Sequence, residues 1–300
     1  MPLKYIVGTR GSLLALTQTR LICEELKQKT GISCEIKIIE TQGDIKVDKA
    51  LWQLEGKDFF TKELDSALIN KEVDFVVHSY KDLGSVRPQG ICLAAIPKRL
   101  FPHDILLIRN DKSKELKSQK KLIIGTSSPR RITHVKKYLH DFLPLAKDRE
   151  IETKLLRGNV NTRIEKLKDN QYDAIILAFA GLERLALGHE SQPKIKDLLQ
   201  DLNFMVLPLS YFTCAPAQGA LAIECLEENT VLKEKLSSLT DPLSAQEASL
   251  EKKIFADYGG GCHLPLGIWV KKQEGETLCI ENGEIESKIH YKRTSSQSLP

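Results

Sequence analysis

The sequence has no paired-cysteine motif. Its seven cysteines, at 23, 34, 92, 214, 225, 262 and 279, are odd in number and scattered without CxxC spacing, so neither a disulfide framework nor a zinc site is indicated. No apolar run approaches the roughly 20 residues of a membrane span. The opening MPLKYIVGTRGS enters a strand-like pattern at once, without the apolar core of a signal peptide. Both absences predict a cytoplasmic protein with no membrane engagement. GxGxxG and GxxxxGKS are missing, which removes dinucleotide and P-loop readings, and without GxSxG there is no nucleophile elbow. The net charge of +4 comes without a polybasic run or an RNA-binding aromatic signature, so nucleic acid is not an expected partner. Nothing in the residues calls for a metal.

What is present is an α/β grammar. Three hundred residues exceed what one core organises, so two or three domains are expected. KYIVGT (4–9) reads as a buried strand, LLALTQTRLICEELKQK (13–29) as an amphipathic helix and CEIKIIET (34–41) as the next strand. Residues 42–59 have no clean period, as expected of a functional or mobile segment. KELDSALINKEVDFVVHSYKD (62–82) and TRIEKLKDNQYDAIILAFAGL (162–182) each run from a polar helix through an aspartate into an apolar strand and a small-residue turn, which suggests two similar halves. DILLIR (104–109), KLIIGT (121–126) and ETKLLR (152–157) read as strands, with a helix from Ser128 to His140. Alternation of this kind predicts parallel or mixed sheets covered by helices on both faces. After Asp241 a helix over 242–258 leads to a loop, ADYGGGCHLPLG, and then to IWVKK and TLCIENGEIES, with a hairpin turn expected at Asn282-Gly283.

Arginines gather at the predicted strand ends. GTSSPRR (125–131) follows a strand and opens a helix, with Ser128 as cap and Pro129 at the first helical position. It reads either as an anion site or as a capped helix with a solvated basic end. LLRGNVNTR places Arg157 and Arg163 similarly, AGLER places Arg184 and GTRGS places Arg10. Guanidinium forks fit carboxylates two bonds at a time, and ligands of open α/β sheets bind at strand carboxyl ends, so the ligand is expected to be polyanionic. HSYKD adds Lys81 and Asp82 at the same edge, either as a surface pair or as a carboxylate acting on a developing cation. His78 reads equally as a hydrogen-bonded core histidine.

Taken in order, TRGSLLAL, GKDFFTKELDSAL, DFVVHSYKDL, GTSSPRR, LRGNVNTR, YDAIILAFAGLERL, AQGALAIEC and GGGCHLPLG resemble the hydroxymethylbilane synthase (porphobilinogen deaminase) family over most of the chain. The resemblance implies three domains: two periplasmic-binding-protein-like α/β lobes (1–97 with 216–240, and 98–215) and a small α+β C-terminal domain (241–300). It implies a transferase that condenses porphobilinogen on a dipyrromethane cofactor held through Cys262, on the loop whose glycines leave room for the adduct. Asp82 matches the catalytic aspartate, with Lys81 and Arg10 beside it. Lys81 and Asp82 themselves, with Ser79, Thr126, Ser127, Ser128, Arg130, Arg131, Arg157 and Arg184, match cofactor contacts. Ser12, Lys57, Phe60, Arg157, Arg163 and Gln218, with Arg10, match substrate contacts, and 42–59 matches a mobile active-site lid. A cytoplasmic monomer is implied. The chain departs from the family at Leu14 and Gly84, where proline is usual, and at Ala217, where glycine is usual. It is longer over 186–205 and shorter at the end of the third domain. A two-lobed anion receptor without turnover shares the arginines but has no use for Asp82 and Cys262.

Overall fold

A computed structural model describes residues 4–45, 61–84, 86–116, 118, 120–144, 150–261 and 263–296. In chain order the elements are β1 Lys4–Thr9, α1 Leu13–Thr30, β2 Ser33–Ile38, α2 Gln42–Ile45, α3 Lys62–Ile69, β3 Phe75–Ser79, β4 Ile91–Ala95, β5 Asp104–Arg109, α4 Asn110–Glu115, β6 Lys121–Gly125 and α5 Pro129–His134. A π turn, Val135–Leu139, joins α5 to α6 His140–Phe142, and then come β7 Glu150–Lys154, α7 Val160–Lys168, β8 Ala174–Ala178, α8 Phe179–Leu187, α9 Gln192–Leu198 and β9 Leu202–Val206. The chain closes with β10 Leu221–Leu226, α10 Thr230–Ser237, α11 Pro242–Asp257, β11 Leu266–Gln273, β12 Glu276–Ile285 and β13 Lys288–Ser296.

Two five-stranded mixed sheets share one topology. The first runs β2-β1-β3-β10-β4 and the second β7-β6-β8-β5-β9. In each, the first three strands are parallel and the last two antiparallel to their neighbours. The suspected sequence repeat falls on equivalent positions. Asp74 exchanges bonds with Ile6, its backbone N–H donating to the Ile6 carbonyl and its carboxylate accepting from the Ile6 N–H. Asp173 does the same with Ile123. Each aspartate thereby fixes a helix-to-strand corner against the neighbouring parallel strand. FVVHS, AIILA, DILLIR and LAIECL lie mid-sheet and are buried almost throughout, because helices cover both faces and apolar residues are needed on each. The longer 186–205 segment folds as α9 and the edge strand β9.

The chain crosses between lobes twice, before β5 and after β9, so the carboxyl ends of β3, β6 and β8 meet at one cleft. The third sheet, β11-β12-β13, is antiparallel, and α11 lies across it with Leu250, Ile254 and Phe255 packed on Leu266, Ile268 and Val270. Strand β13 is the last element among the described residues.

The hairpin expected at Asn282-Gly283 is not there. Strand β12 continues through both residues and turns at Glu286 and Ser287, whose φ values are 49° and 62°. Gly283 is needed for close approach instead: a Cβ there would stand 2.0 Å from the Pro265 carbonyl oxygen. Asn282 is fully buried, donating from Nδ2 to the Tyr211 carbonyl (2.8 Å) and accepting from the Tyr138 hydroxyl (3.0 Å). The pair marks the seam between the third sheet and the second lobe, a long-range demand that outranks local turn preference.

Candidate functional site

Strand β3 is buried from Phe75 to His78 and gives way to one 3-10 turn, Tyr80–Asp82. Three residues per turn put Tyr80 and Leu83 on one side and leave the two residues between them on the other. Tyr80 and Leu83 are buried, while Lys81 is half-buried and Asp82 exposed. A short apolar strand thus delivers an ammonium and a carboxylate to the cleft. Ser79, half-buried, accepts a bond from Gln18 Nε2 (3.2 Å), which brings the strand end against α1, whose cap is Ser12.

Across the cleft, β6 ends at Gly125. Thr126 is buried, and its hydroxyl accepts from the Ser128 backbone N–H (3.3 Å). Ser128 in turn caps α5 by accepting from the Arg131 N–H, and Ser127 is half-buried between them. Arg130 and Arg131 both reach Asp104, at the start of β5. Arg130 Nη1 donates to Oδ2 (2.8 Å) and to the Thr213 carbonyl (2.7 Å). Arg131 donates from Nη2 to Oδ1 (2.8 Å) and from Nη1 to the Ile176 carbonyl (3.0 Å). Gln218 Nε2 adds a bond of 2.9 Å to Oδ1. Burial would raise the Asp104 pKa, but the two guanidinium groups outweigh it and hold the carboxyl well below its usual range. The Nε atoms of both arginines and Gln218 Oε1 are buried without a hydrogen-bond partner.

The other cations crowd one another. Arg163, whose Nε donates to the Gly158 carbonyl (2.7 Å), is pushed down to about 10, first by burial and then by Arg131 and Arg157, with Asp82 opposing. Arg157 is lowered by burial and by Arg10. Lys81 falls to about 8: burial is the largest cause, Arg131 and Arg130 add to it, and Asp82 and Asp104 pull the other way. Arg10, Lys81, Arg130, Arg131, Arg157 and Arg163 therefore form one field, within which Asp82 and Asp104 act as acids among the described residues. Arg184 lies to one side on α8, buried and held to the Gly219 carbonyl (2.6 Å), and burial lowers it to about 10.

Lys57, Phe60 and Cys262, with most of the expected lid, lie outside the described residues. Beside Cys262, Gly259 has a φ of 78° and closes α11, its N–H donating to the Ala256 carbonyl. His78 is a core residue, its Nε2 3.4 Å from Glu224 Oε2. It forms a buried group with Asp65 and Glu224 that has the residue types of a metal site, but Arg87 fills its centre, bonded to both carboxylates, so the group is an internal ion cluster. Sequence reading missed Asp104. Its one signal is an acidic residue opening the otherwise apolar run DILLIR.

Comparison with known proteins gives a consistent result. The family described as "Porphobilinogen deaminase, dipyromethane cofactor binding domain" matches residues 5–234. Proteins named porphobilinogen deaminase are similar along nearly the whole chain. The one from Bacillus cereus strain G9842 is 38% identical over 298 residues, covering 97% of this chain and 88% of that protein. The one from Lysinibacillus sphaericus strain C3-41 is 38% identical over 296 residues, again covering 97% and 88%. The one from Geobacillus sp. strain WCH70 is 36% identical over 302 residues, covering 99% and 90%. Among solved structures, a probable amino-acid ABC transporter extracellular-binding protein of Bacillus subtilis superposes with a TM-score of 0.44 at 14% identity, covering 86% of this chain and 94% of that one.

Proposed function

This chain belongs to the porphobilinogen deaminase family, transferases of porphyrin biosynthesis, and from that premise we propose that it is a hydroxymethylbilane synthase. In this reading it deaminates four porphobilinogen molecules in turn, joins them head to tail on a dipyrromethane primer bound through Cys262, and releases the linear tetrapyrrole by hydrolysis. Each addition frees one ammonia, and release consumes one water. The proposed working form is a cytoplasmic monomer with domain limits near 97/98, 215/216 and 240/241. Among the described residues no helix is long and apolar enough to cross a membrane.

The observation that carries the proposal is the excess of cations around Asp82. Among the described residues, three cations there lie below their ordinary values, Lys81, Arg157 and Arg163, two more share the single carboxylate of Asp104, and the Nε atoms of Arg130 and Arg131 are buried without acceptors. Such a donor set fits a group that brings several carboxylates. Each pyrrole carries an acetate and a propionate, so the residues suit the dipyrromethane primer and the growing chain alike. When bound, the primer supplies a pyrrole carbon that couples to the incoming ring.

The chain's own residues would then act as follows. Arg10, Arg157 and Arg163, with Ser12, Lys57, Phe60 and Gln218, seat substrate carboxylates and orient the ring. Arg130, Arg131 and Arg184, with Ser79, Thr126, Ser127 and Ser128, hold the primer end. Asp82, at the cleft surface, would stabilise the positive charge that develops as ammonia leaves the bound ring, as a nearby carboxylate can. After coupling, the same carboxylate assists removal of the ring proton. Lys81, pushed down to about 8 chiefly by burial, would exchange its proton near neutral pH beside Asp82.

The test is an intact mass of protein made in a porphobilinogen-producing host. The expected adduct equals two porphobilinogen units less two ammonia, and the protein should release ammonia when supplied with porphobilinogen. An unmodified mass with no ammonia, in a folded protein that still binds polycarboxylates, would favour an anion receptor.

A further inference from the structure

Helix α11 ends at Asp257, just before the loop carrying Cys262, and its middle turns grip the segment carrying Lys81 and Asp82. Lys252 Nζ donates to the Leu83 carbonyl at 2.5 Å and stands 5.7 Å from the centre of the Tyr80 ring. Burial raises the Tyr80 hydroxyl above its ordinary pKa, and Ser249, one turn earlier on the helix, opposes the rise. Ala248 and Ala245 pack with Tyr80 and Leu83 in one apolar cluster. The turn is closed from within by the Leu83 N–H donating to the Tyr80 carbonyl and tied to the sheet by the Tyr80 N–H donating to Ala220. Residues 80 and 83 therefore face the helix, and both are held by it. Residues 81 and 82 face the cleft and receive their positions from that grip. The helix cannot slide, because Glu251, the neighbour of Lys252, is bonded to Arg99, the Ala217 N–H and the Val270 N–H.

We propose that Lys252 is a positioning residue for the reaction: by holding the Leu83 carbonyl it fixes where the turn places the Asp82 carboxylate in the cleft. This rests on the function proposed above. A carbonyl that loses its ammonium partner turns to water, and the short 3-10 turn, with one internal bond, relaxes. Misplacing a reacting group by about 1 Å can cost on the order of 100-fold in rate.

The experiment compares Lys252→Met, which keeps the stem over Tyr80 but has no donor, with Lys252→Arg in adduct-bearing protein. The expected result is a kcat lower by about tenfold or more in Lys252→Met, with KM changed less than about twofold and recovery of most of the rate in Lys252→Arg. In an Asp82→Asn background Lys252→Met should slow nothing further. Amide exchange over 80–84 should quicken in Lys252→Met alone. A wild-type kcat in Lys252→Met, a loss that arginine does not restore, or unchanged exchange over 80–84 would each overturn the proposal. Wild-type protein without adduct or turnover would instead overturn the function reading, and the exchange comparison would still decide whether Lys252 holds the turn.

Discussion

Two buried ionic regions lie within this molecule, and they are built on opposite principles. Where α11 meets the first lobe, one guanidinium meets one carboxylate: Arg99 bonds both oxygens of Glu251 at 2.8 and 2.9 Å and gives its Nε to the Gln218 carbonyl. Glu251 also accepts two backbone N–H bonds, so both partners are saturated. Burial works against the charge on Arg99, yet Glu251 outweighs it and raises the guanidinium above its ordinary value. In the cleft the balance is reversed. Two arginines share Asp104, and Lys81, Arg157 and Arg163 all lie below their ordinary values. A saturated pair is architecture, whereas an unbalanced field would gain stability from an added anion, which supports the binding site proposed there.

The strongest way to break this comparison is at Asp82, the one exposed acid in the field. Asp82→Asn should lower turnover by about 100-fold or more if, as proposed, proton transfer and charge stabilisation both pass through it, while the thermal midpoint stays near that of the parent. Steady-state ammonia release and a melting curve check both. A variant retaining most of its rate would remove Asp82 from the chemistry.

Next come two charge deletions of opposite expected sign. Glu251→Gln leaves Arg99 buried without its counter-charge and should cost about 3–5 kcal/mol in urea unfolding. Arg163→Met removes a surplus cation from a crowded field, so stability should hold or rise while polycarboxylate binding weakens. If the two variants lost stability equally, the distinction between saturated and unbalanced regions would fail.

Much of this was legible in the sequence, and the omissions have one physical character. The βαβ opening, the repeat about Asp74 and Asp173 and the strand-end arginines follow from local periodicity and turn chemistry, and the structure reproduces the elements within a few residues. What escaped depends on partners far along the chain. Helix α11 buries Ser244, Glu247, Ala248 and Glu251, an i, i+3, i+4, i+7 face, of which Ala248 packs on Tyr80 and Leu83, Ser244 and Glu251 bond Arg99, and Glu247 and Glu251 bond backbone N–H groups of β11. That face is polar, so a search for apolar stripes passes over it. Asn282-Gly283 has the local signature of a turn, but Pro265 and Tyr211 require it mid-strand. Arg130 and Arg131 were visible as cations at a helix start, whereas their shared partner Asp104 could not be paired with them by spacing alone.

A subtler probe is pH. The Lys81 pKa of about 8 lies below its ordinary 10.5, so between those values the unfolded chain holds the extra proton and this group's contribution to stability rises with pH across that window. Below about pH 8 the folded protein bears the full penalty of an ammonium that Asp82 and Asp104 only partly compensate. An added tricarboxylate relieves that penalty, so its stabilising effect should be greatest below pH 8 and fade towards pH 10.5. Lys81→Met should flatten the profile. Melting curves with and without the anion at several pH values measure both, and a ligand effect that grew with pH would contradict the assignment.

The smallest expected effect is at Ala217, beside the saturated joint, where its N–H donates to Glu251 Oε2 at 2.7 Å. Its φ of 60° is left-handed, which accounts for the glycine usual in the family. An L-residue there costs about 1–2 kcal/mol, which suggests that Ala217→Gly should stabilise. Two terms oppose this. Glycine loses about 0.5–1 kcal/mol more backbone entropy on folding, and the Ala217 methyl is fully buried with Tyr80, Leu83 and Ala248, worth about 0.8 kcal/mol. The terms nearly cancel, so urea unfolding of Ala217→Gly should differ from the parent by less than about 1 kcal/mol, far below the Glu251→Gln loss. Larger stabilisation would mean that the methyl packs poorly against the catalytic turn, and larger destabilisation would mean that the left-handed backbone is held by the joint at little cost.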